Sequence, residues 1–293
     1  MPGTETLTRR QPLALWLVVI ALLVSGAALM YVIQDLTKSL AQPAPVRGAP
    51  AGTAGQAMPI AALRSALDAG DAASLQKALE RVPDINAHLN LIDGSRRQMT
   101  LLAYAAMQST PDVVRTLLAK GADADAADAQ GMTPVMLAAA RGDADNLAAL
   151  LQAKARVEAR NKWGETALMN AARAGDPSKV RALLAAGASL TPINEDGHTA
   201  LGLAAASDES PTAVVQMLLE AGADPNHASR EGVTPLMRAA EAGNFDKCVA
   251  LLNAGARPGL KDADGRTAMD WAASRGKDEA GERCVSLLAQ AGQ

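Results

Sequence analysis

A thirteen-residue pattern returns along this chain at an almost fixed interval. GMTPVMLAAARGD starts at Gly131, GETALMNAARAGD at Gly164, GHTALGLAAASDE at Gly197, GVTPLMRAAEAGN at Gly232 and GRTAMDWAASRGK at Gly265. Their first glycines are 33, 33, 35 and 33 residues apart. A further copy, MTLLAYAAMQST, begins at Met99, 33 residues ahead of Met132. Each copy is followed by a Leu-Leu pair, at 117–118, 150–151, 183–184, 218–219, 251–252 and 287–288. Such a period demands a stack of small similar units, because one unit cannot bury its apolar face alone and closes its core only against its neighbours. The composition fits that demand: 49% of the residues are hydrophobic but only 2% are aromatic, so alanine and leucine supply the apolar surface. A conventional core leans on a few large rings, whereas thin helical layers pack with small side chains.

The structure of one unit follows from its residues. Thr133-Pro134 opens a helix, with proline where its missing N–H costs nothing. Ala138 and Ala139 are small enough for helices of adjacent layers to approach closely, and Leu150-Leu151 closes a second helix on the shared core. Gly187, Gly222 and Gly255 supply the left-handed backbone that ends that second helix. Lys154 occupies the same position in its own unit. The stretch up to the next glycine, for example Asn194–Gly197, is a short hairpin loop.

The period and the T-P-L-x-x-A-A pattern resemble the ankyrin repeat. The resemblance covers residues 99–288. Ile60–Asn86 carries the helix–turn–helix half without the T-P-L opening, as an N-terminal capping repeat does. The expectation is therefore an all-α repeat solenoid of about seven repeats over 60–293, beyond the three or so needed for stability. Two loops depart from the period. The loop from Ser207 to Pro211 carries two extra residues, and the first hairpin, from Asp84 to Gln98, is about five residues longer than the others, with Arg96-Arg97 at its end. Insertions in solenoids map to loops on one face, often the binding face. Loops also tolerate extra length at little entropic cost. Both readings stay open at this point.

Ahead of the repeats, Leu13–Ile33 is an uncharged run of 21 residues. As a helix it spans roughly 30 Å, the hydrocarbon thickness of a bilayer, and it lacks the polar stripe of a soluble helix. Residues 1–12 form a tail, 13–33 a transmembrane helix, and 34–59 a linker whose Pro/Ala/Gly-rich part (42–59) makes an extended spacer. Arg9-Arg10 immediately before the apolar run favours a cytoplasmic N-terminus. The repeats then lie outside the cytoplasm, and the alanine-rich, lysine-poor composition of a GC-rich bacterium makes that compartment the periplasm. Ser39-Leu40-Ala41 has the small-x-small form of a signal-peptidase site, so the alternative to an inner-membrane anchor is a soluble periplasmic domain cleaved near Ala41.

The sequence carries no recognisable chemistry. His88, His198 and His227 lie on three different loops, away from metal-ligand or triad spacing. No dinucleotide, P-loop, zincin or nucleophile-elbow motif occurs. No catalytic residue, metal site or cofactor is expected. Met136, Met169 and Met237 share one repeat position, but Gly202 interrupts the row, which points to packing rather than a soft-metal site. Cys248 and Cys284 fall where other repeats carry Val114, Leu147, Val180 and Val215. Equivalent positions in adjacent layers sit about 8–10 Å apart, and a disulfide needs Cα atoms within about 7 Å, so both thiols are expected free. Of the 28 basic and 31 acidic residues, four and two lie in 1–57, which leaves the repeats near −5. That charge argues against nucleic acid.

The ankyrin resemblance implies a scaffold that binds another protein at its hairpin tips and at the exposed residues of each first helix, with no small-molecule substrate. By register the tip positions are Gln130, Met132, Lys162, Trp163, Glu165, Glu195, Asp196, His198, Arg230, Glu231, Val233, Asp264 and Arg266. The helix positions are Ala140, Arg141, Arg173, Ala174, Ser207, Glu241 and Arg275. Two roles fit a tethered periplasmic scaffold: an immunity protein neutralising a toxin that acts in the periplasm, or a support or sequestering factor for a periplasmic enzyme, for example in oxidative-stress defence. The topology is directly measurable. Reporters fused after Gln293 should be active only where the reporter requires an extracytoplasmic location, and an active cytoplasm-only reporter would contradict the orientation.

Overall fold

The computed structural model describes residues 54–91, 98–274 and 279–291. Among them are seven helix–turn–helix pairs: α1 (Ala54–Asp68) with α2 (Ala72–Leu79), α3 (Leu101–Gln108) with α4 (Pro111–Ala119), α5 (Pro134–Arg141) with α6 (Ala144–Gln152), α7 (Ala167–Ala174) with α8 (Pro177–Ala185), α9 (Ala200–Ala206) with α10 (Thr212–Glu220), α11 (Pro235–Glu241) with α12 (Phe245–Asn253), and α13 (Ala268–Ser274) with α14 (Glu279–Ala291). No strand occurs among the described residues, and one antiparallel bridge, Leu89 to Met99, closes the long first hairpin. The first pair reaches further back than the repeat pattern indicates, since α1 begins at Ala54, inside the segment read as linker. The apolar run at 13–33 and the Arg96-Arg97 pair lie outside the described residues. No helix among the described residues is long and apolar enough to cross a membrane.

Each first helix starts in the way its Thr foretells. Thr100, Thr133, Thr166, Thr199 and Thr234 are extended N-caps whose hydroxyls accept the backbone N–H three residues on, which satisfies one of the open donors at the helix start. The alanine pairs 138–139, 171–172, 204–205 and 239–240 are fully buried. With only a methyl group between them, first helices of neighbouring repeats pack more extensively than second helices do. The stack therefore curves with its first helices on the concave side. Leu117, Leu150, Leu183, Leu218 and Leu251 are fully buried from the second helices. Met136, Met169 and Met237 are each 1% exposed, as packing residues are.

The open carbonyls at the ends of the first helices are sealed by the following repeat. Asn146 on α6 donates its side-chain N–H to Ser109 O (2.8 Å), Lys179 on α8 donates Nζ to Gly142 O (3.1 Å), and Lys247 on α12 donates Nζ to Ala204 O (2.9 Å) and Ser207 O (2.6 Å). All three side chains are buried. The third position of the second helix thus caps the preceding layer, and where it is lysine the cation also meets the negative end of the helix. Burial pushes the Lys247 ammonium pKa down, with Asp208 acting in the opposite sense.

Cys248 and Cys284 are buried thiols that are not joined in a disulfide. Burial, reinforced by the Cys284 sulfur beside it, pushes the Cys248 thiol far above its ordinary value, so it is held protonated and unreactive. Equivalent side chains in α12 and α14 thus reach toward each other across the helix-packing gap.

Four of the six turns that follow second helices α2 to α12 place glycine in the left-handed region: Gly121, Gly187, Gly222 and Gly255. Lys154 adopts the same conformation with φ 60°, and among the described residues it is the one non-glycine with positive φ. A Cβ there costs about 1 kcal/mol. Lys154→Gly should stabilise the domain by about that amount and raise its Tm by about 2–4 °C. Thermal unfolding followed by circular dichroism checks this, and a lowered Tm would show that the turn draws stability from its lysine.

Candidate functional site

The hairpin tips are built by one device repeated at each layer. Asp128, Asn161, Asn194 and Asp262 are buried polar residues whose side-chain oxygen accepts the backbone N–H groups two and four residues on. This side-chain turn holds the tip while the following glycine takes positive φ. Tips are also tied to one another. Lys162 N–H donates to Gln130 O (3.0 Å), Glu195 N–H to Trp163 O (2.8 Å), Arg230 N–H to Asp196 O (3.0 Å) and Ala263 N–H to Glu231 O (2.8 Å). The backbone along this edge is fixed on both sides, and the tip side chains are left to point outward.

Trp163 shows the consequence most plainly. Its N–H is held by Asn161 and its carbonyl by Glu195, yet the residue remains 48% exposed. Beside it lies a groove of about 640 Å³ on the concave side. Gln130 and Trp163 border it at the tips, Met132, Leu137 and Asn170 line it, and Arg141, Arg173 and Ala174 come from the ends of α5 and α7. Glu209, from the loop with two extra residues, completes the lining. That loop is seated on the preceding repeat: Ser207 Oγ donates to Arg173 O (2.8 Å), and Gly175 (φ 74°) passes so close that a Cβ would fall 2.4 Å from Glu209 O. Within the groove Glu165 pairs with Arg173 through one oxygen and accepts from Asn161 Nδ2 (3.1 Å) through the other. The Arg173 guanidinium is thereby oriented while its side chain stays 45% exposed.

Most of the tip and helix positions expected from the sequence are exposed: Gln130, Arg141, Lys162, Trp163, Arg173, Glu195, Asp196, Arg230, Glu231 and Glu241. Met132, Glu165 and Val233 are not; they are 8%, 9% and 2% exposed. Each directly precedes a threonine N-cap, the position whose side chain folds back onto the helix it introduces. Met132 and Val233 do so as core residues. Where this position is polar it finds a partner instead, as Glu165 does with Arg173. His198 is half-buried with Nε2 3.4 Å from an Arg238 nitrogen, and burial followed by the Arg238 charge pushes its imidazole pKa down. His88 and His227, which the sequence places on loops, bridge layers by pairing Nε2 with Ala127 O (2.9 Å) and Gly197 O (3.0 Å). Arg275 lies outside the described residues.

Sequence reasoning missed the central concave line, the fourth residue of each first helix: Tyr104, Leu137, Asn170, Leu203, Arg238 and Trp271. Its signal was available, since these positions recur with the repeat period. At its far end Trp271 Nε1 donates to Asp262 (2.8 Å), Arg266 stacks 4.4 Å from the ring centre, and Arg238 sits 5.5 Å from it while pairing with Glu241 at 3.0 Å. Burial raises the Asp262 carboxyl pKa, but hydrogen bonds from Arg266 and the Trp271 indole outweigh it and hold the group below its ordinary value. These charges satisfy one another. No group of three metal-ligating side chains occurs among the described residues.

The family model for ankyrin repeats (3 copies) matches the chain at residues 63–161, 136–229 and 206–293. The crystal structure of the ankyrin repeat domain of Bcl-3, a unique member of the IkappaB protein family, is similar at 26% identity with a TM-score of 0.62, covering 78% of this chain and 97% of that one. No curated protein matches the chain. Ankyrin repeats generally mediate protein–protein interaction. With the family model spanning most of its length and the layered helix pairs and tied tips in place, the chain belongs to the ankyrin-repeat family.

Proposed function

We propose that this chain is a protein-binding scaffold, not an enzyme, whose partner occupies the concave groove beside Trp163. One observation carries the proposal: a large ring stands exposed on a backbone that is hydrogen-bonded on both sides. The ring is not part of the hydrophobic core, and ordering it on binding costs little because its backbone is already held. Tryptophan and arginine are both enriched at binding hot spots, and Arg141 and Arg173 line the same groove. In this proposal residues 13–33 hold the scaffold at the inner membrane with its repeats in the periplasm. Its role there is that of an immunity protein that occludes a toxin acting in that compartment. The alternative role is support or sequestration of a resident periplasmic enzyme, and the identity of the captured partner separates the two.

The test is capture from an envelope fraction by the full-length chain, followed by affinity measurement on the partner recovered. Trp163→Ala should weaken that affinity by about 2 kcal/mol or more, roughly thirtyfold. The circular dichroism spectrum and Tm should stay unchanged, since the ring makes no core contact. Unaltered affinity in a folded Trp163→Ala protein would place the binding face elsewhere, with the long first hairpin next in line.

A further inference from the structure

The charges that line the groove point to the chemistry of the segment it takes. Four charged side chains line it: Arg141, Glu165, Arg173 and Glu209. Glu165 is consumed, with one carboxylate oxygen on Arg173 and the other on Asn161. It holds the Arg173 guanidinium in place and cancels its charge. Arg141 and Glu209 are exposed, and among the described residues neither forms an ion pair, with the other or with any third group. The contrast with the far end of the concave face is sharp, where Arg238, Arg266, Glu241 and Asp262 are all paired within the chain. The groove therefore presents one open cation at the end of α5, one open anion on the inserted loop, and one exposed aromatic ring. Glu209 is held there firmly, because its backbone packs against Gly175.

We propose that the groove binds an extended partner segment that carries both signs of charge, with an acidic side chain for Arg141, a basic side chain for Glu209, and an apolar or aromatic residue for Trp163 at the tip border. The inference rests on the groove being the partner-binding face and adds to it the chemistry of the segment. Like-sign placement is penalised at an interface more than opposite-sign placement is rewarded, so a single-signed segment, wholly acidic or wholly basic, meets repulsion at one of the two sites. The two extra residues of the 207–211 loop acquire a purpose in this account: they carry the anion into the groove.

The test uses the full-length chain in mild detergent as bait for a phage-displayed library of random 12-residue peptides. The probes are then individual synthetic peptides from the selected pool. The expected pool is enriched in sequences that combine Asp or Glu, Lys or Arg, and a Leu, Phe, Tyr or Trp. Arg141→Glu should weaken a selected peptide about fivefold or more, and Glu209→Lys likewise. Each variant should reselect a pool that has lost only its own complementary charge, while Arg141→Gln gives a smaller loss in the same direction. Both positions are exposed, so an unchanged Tm certifies the fold of each variant. A pool without charge preference, a preference that neither variant alters, or a library from which nothing is retained overturns the proposal. Trp163→Ala separates the two layers of the account. Charge-independent binding that this variant abolishes removes the inference and leaves the groove as the binding face. Binding that it does not touch removes both.

Discussion

A single ankyrin layer cannot bury its own apolar face, and everything else in this molecule follows from how one layer satisfies the next. The alanine faces of the first helices set the spacing and the curvature, because a methyl group permits a closer approach than the leucines of the second helices. The same interdependence governs the polar groups. The carbonyl ends of α3, α5 and α9 are satisfied by Asn146, Lys179 and Lys247 from the following repeat. Burying an ammonium group is costly unless hydrogen bonds replace its water, and two backbone carbonyls supply that replacement for Lys247. These contacts make each layer a lid for its predecessor, so stability is shared along the stack rather than held by one core.

The binding face arises from the same construction. Tips that are hydrogen-bonded to their neighbours cannot yield, and their outward side chains are left over from folding. That distinguishes Trp163 from Trp271. Both are large rings, but Trp271 donates its N–H to Asp262 and has the Arg266 and Arg238 guanidiniums over its ring. Trp163 has no such neighbours and borders an open groove.

Much of this was legible in the sequence, and the exceptions have physical causes. The 33-residue period fixes the helix pairs from Leu101 onward, and the register of Lys154 with the turn glycines foretells its left-handed backbone. The positions before the threonine caps were misassigned to the surface. Met132, Glu165 and Val233 directly follow a tip glycine, yet each is governed by the helix that it introduces. The start of α1 at Ala54 was hidden because an Ala/Gly/Pro-rich stretch has no periodic pattern to mark a helix. The bridging roles of His88 and His227 depend on carbonyls 39 and 30 residues away, which no local pattern encodes. The extra length of the 207–211 loop, open to two readings in the sequence, places Glu209 in the groove.

Amide hydrogen exchange on the full-length chain, alone and saturated with its captured partner, tests the central claim most directly. Exchange reports protection peptide by peptide and needs no substitution that risks the fold. The account predicts slowed exchange in 129–142, 162–175 and 207–211, the three segments that line the groove, with the second helices at 144–152 and 177–185 unchanged. Protection confined to the second helices, or to 262–274 with the groove segments unaffected, would contradict it.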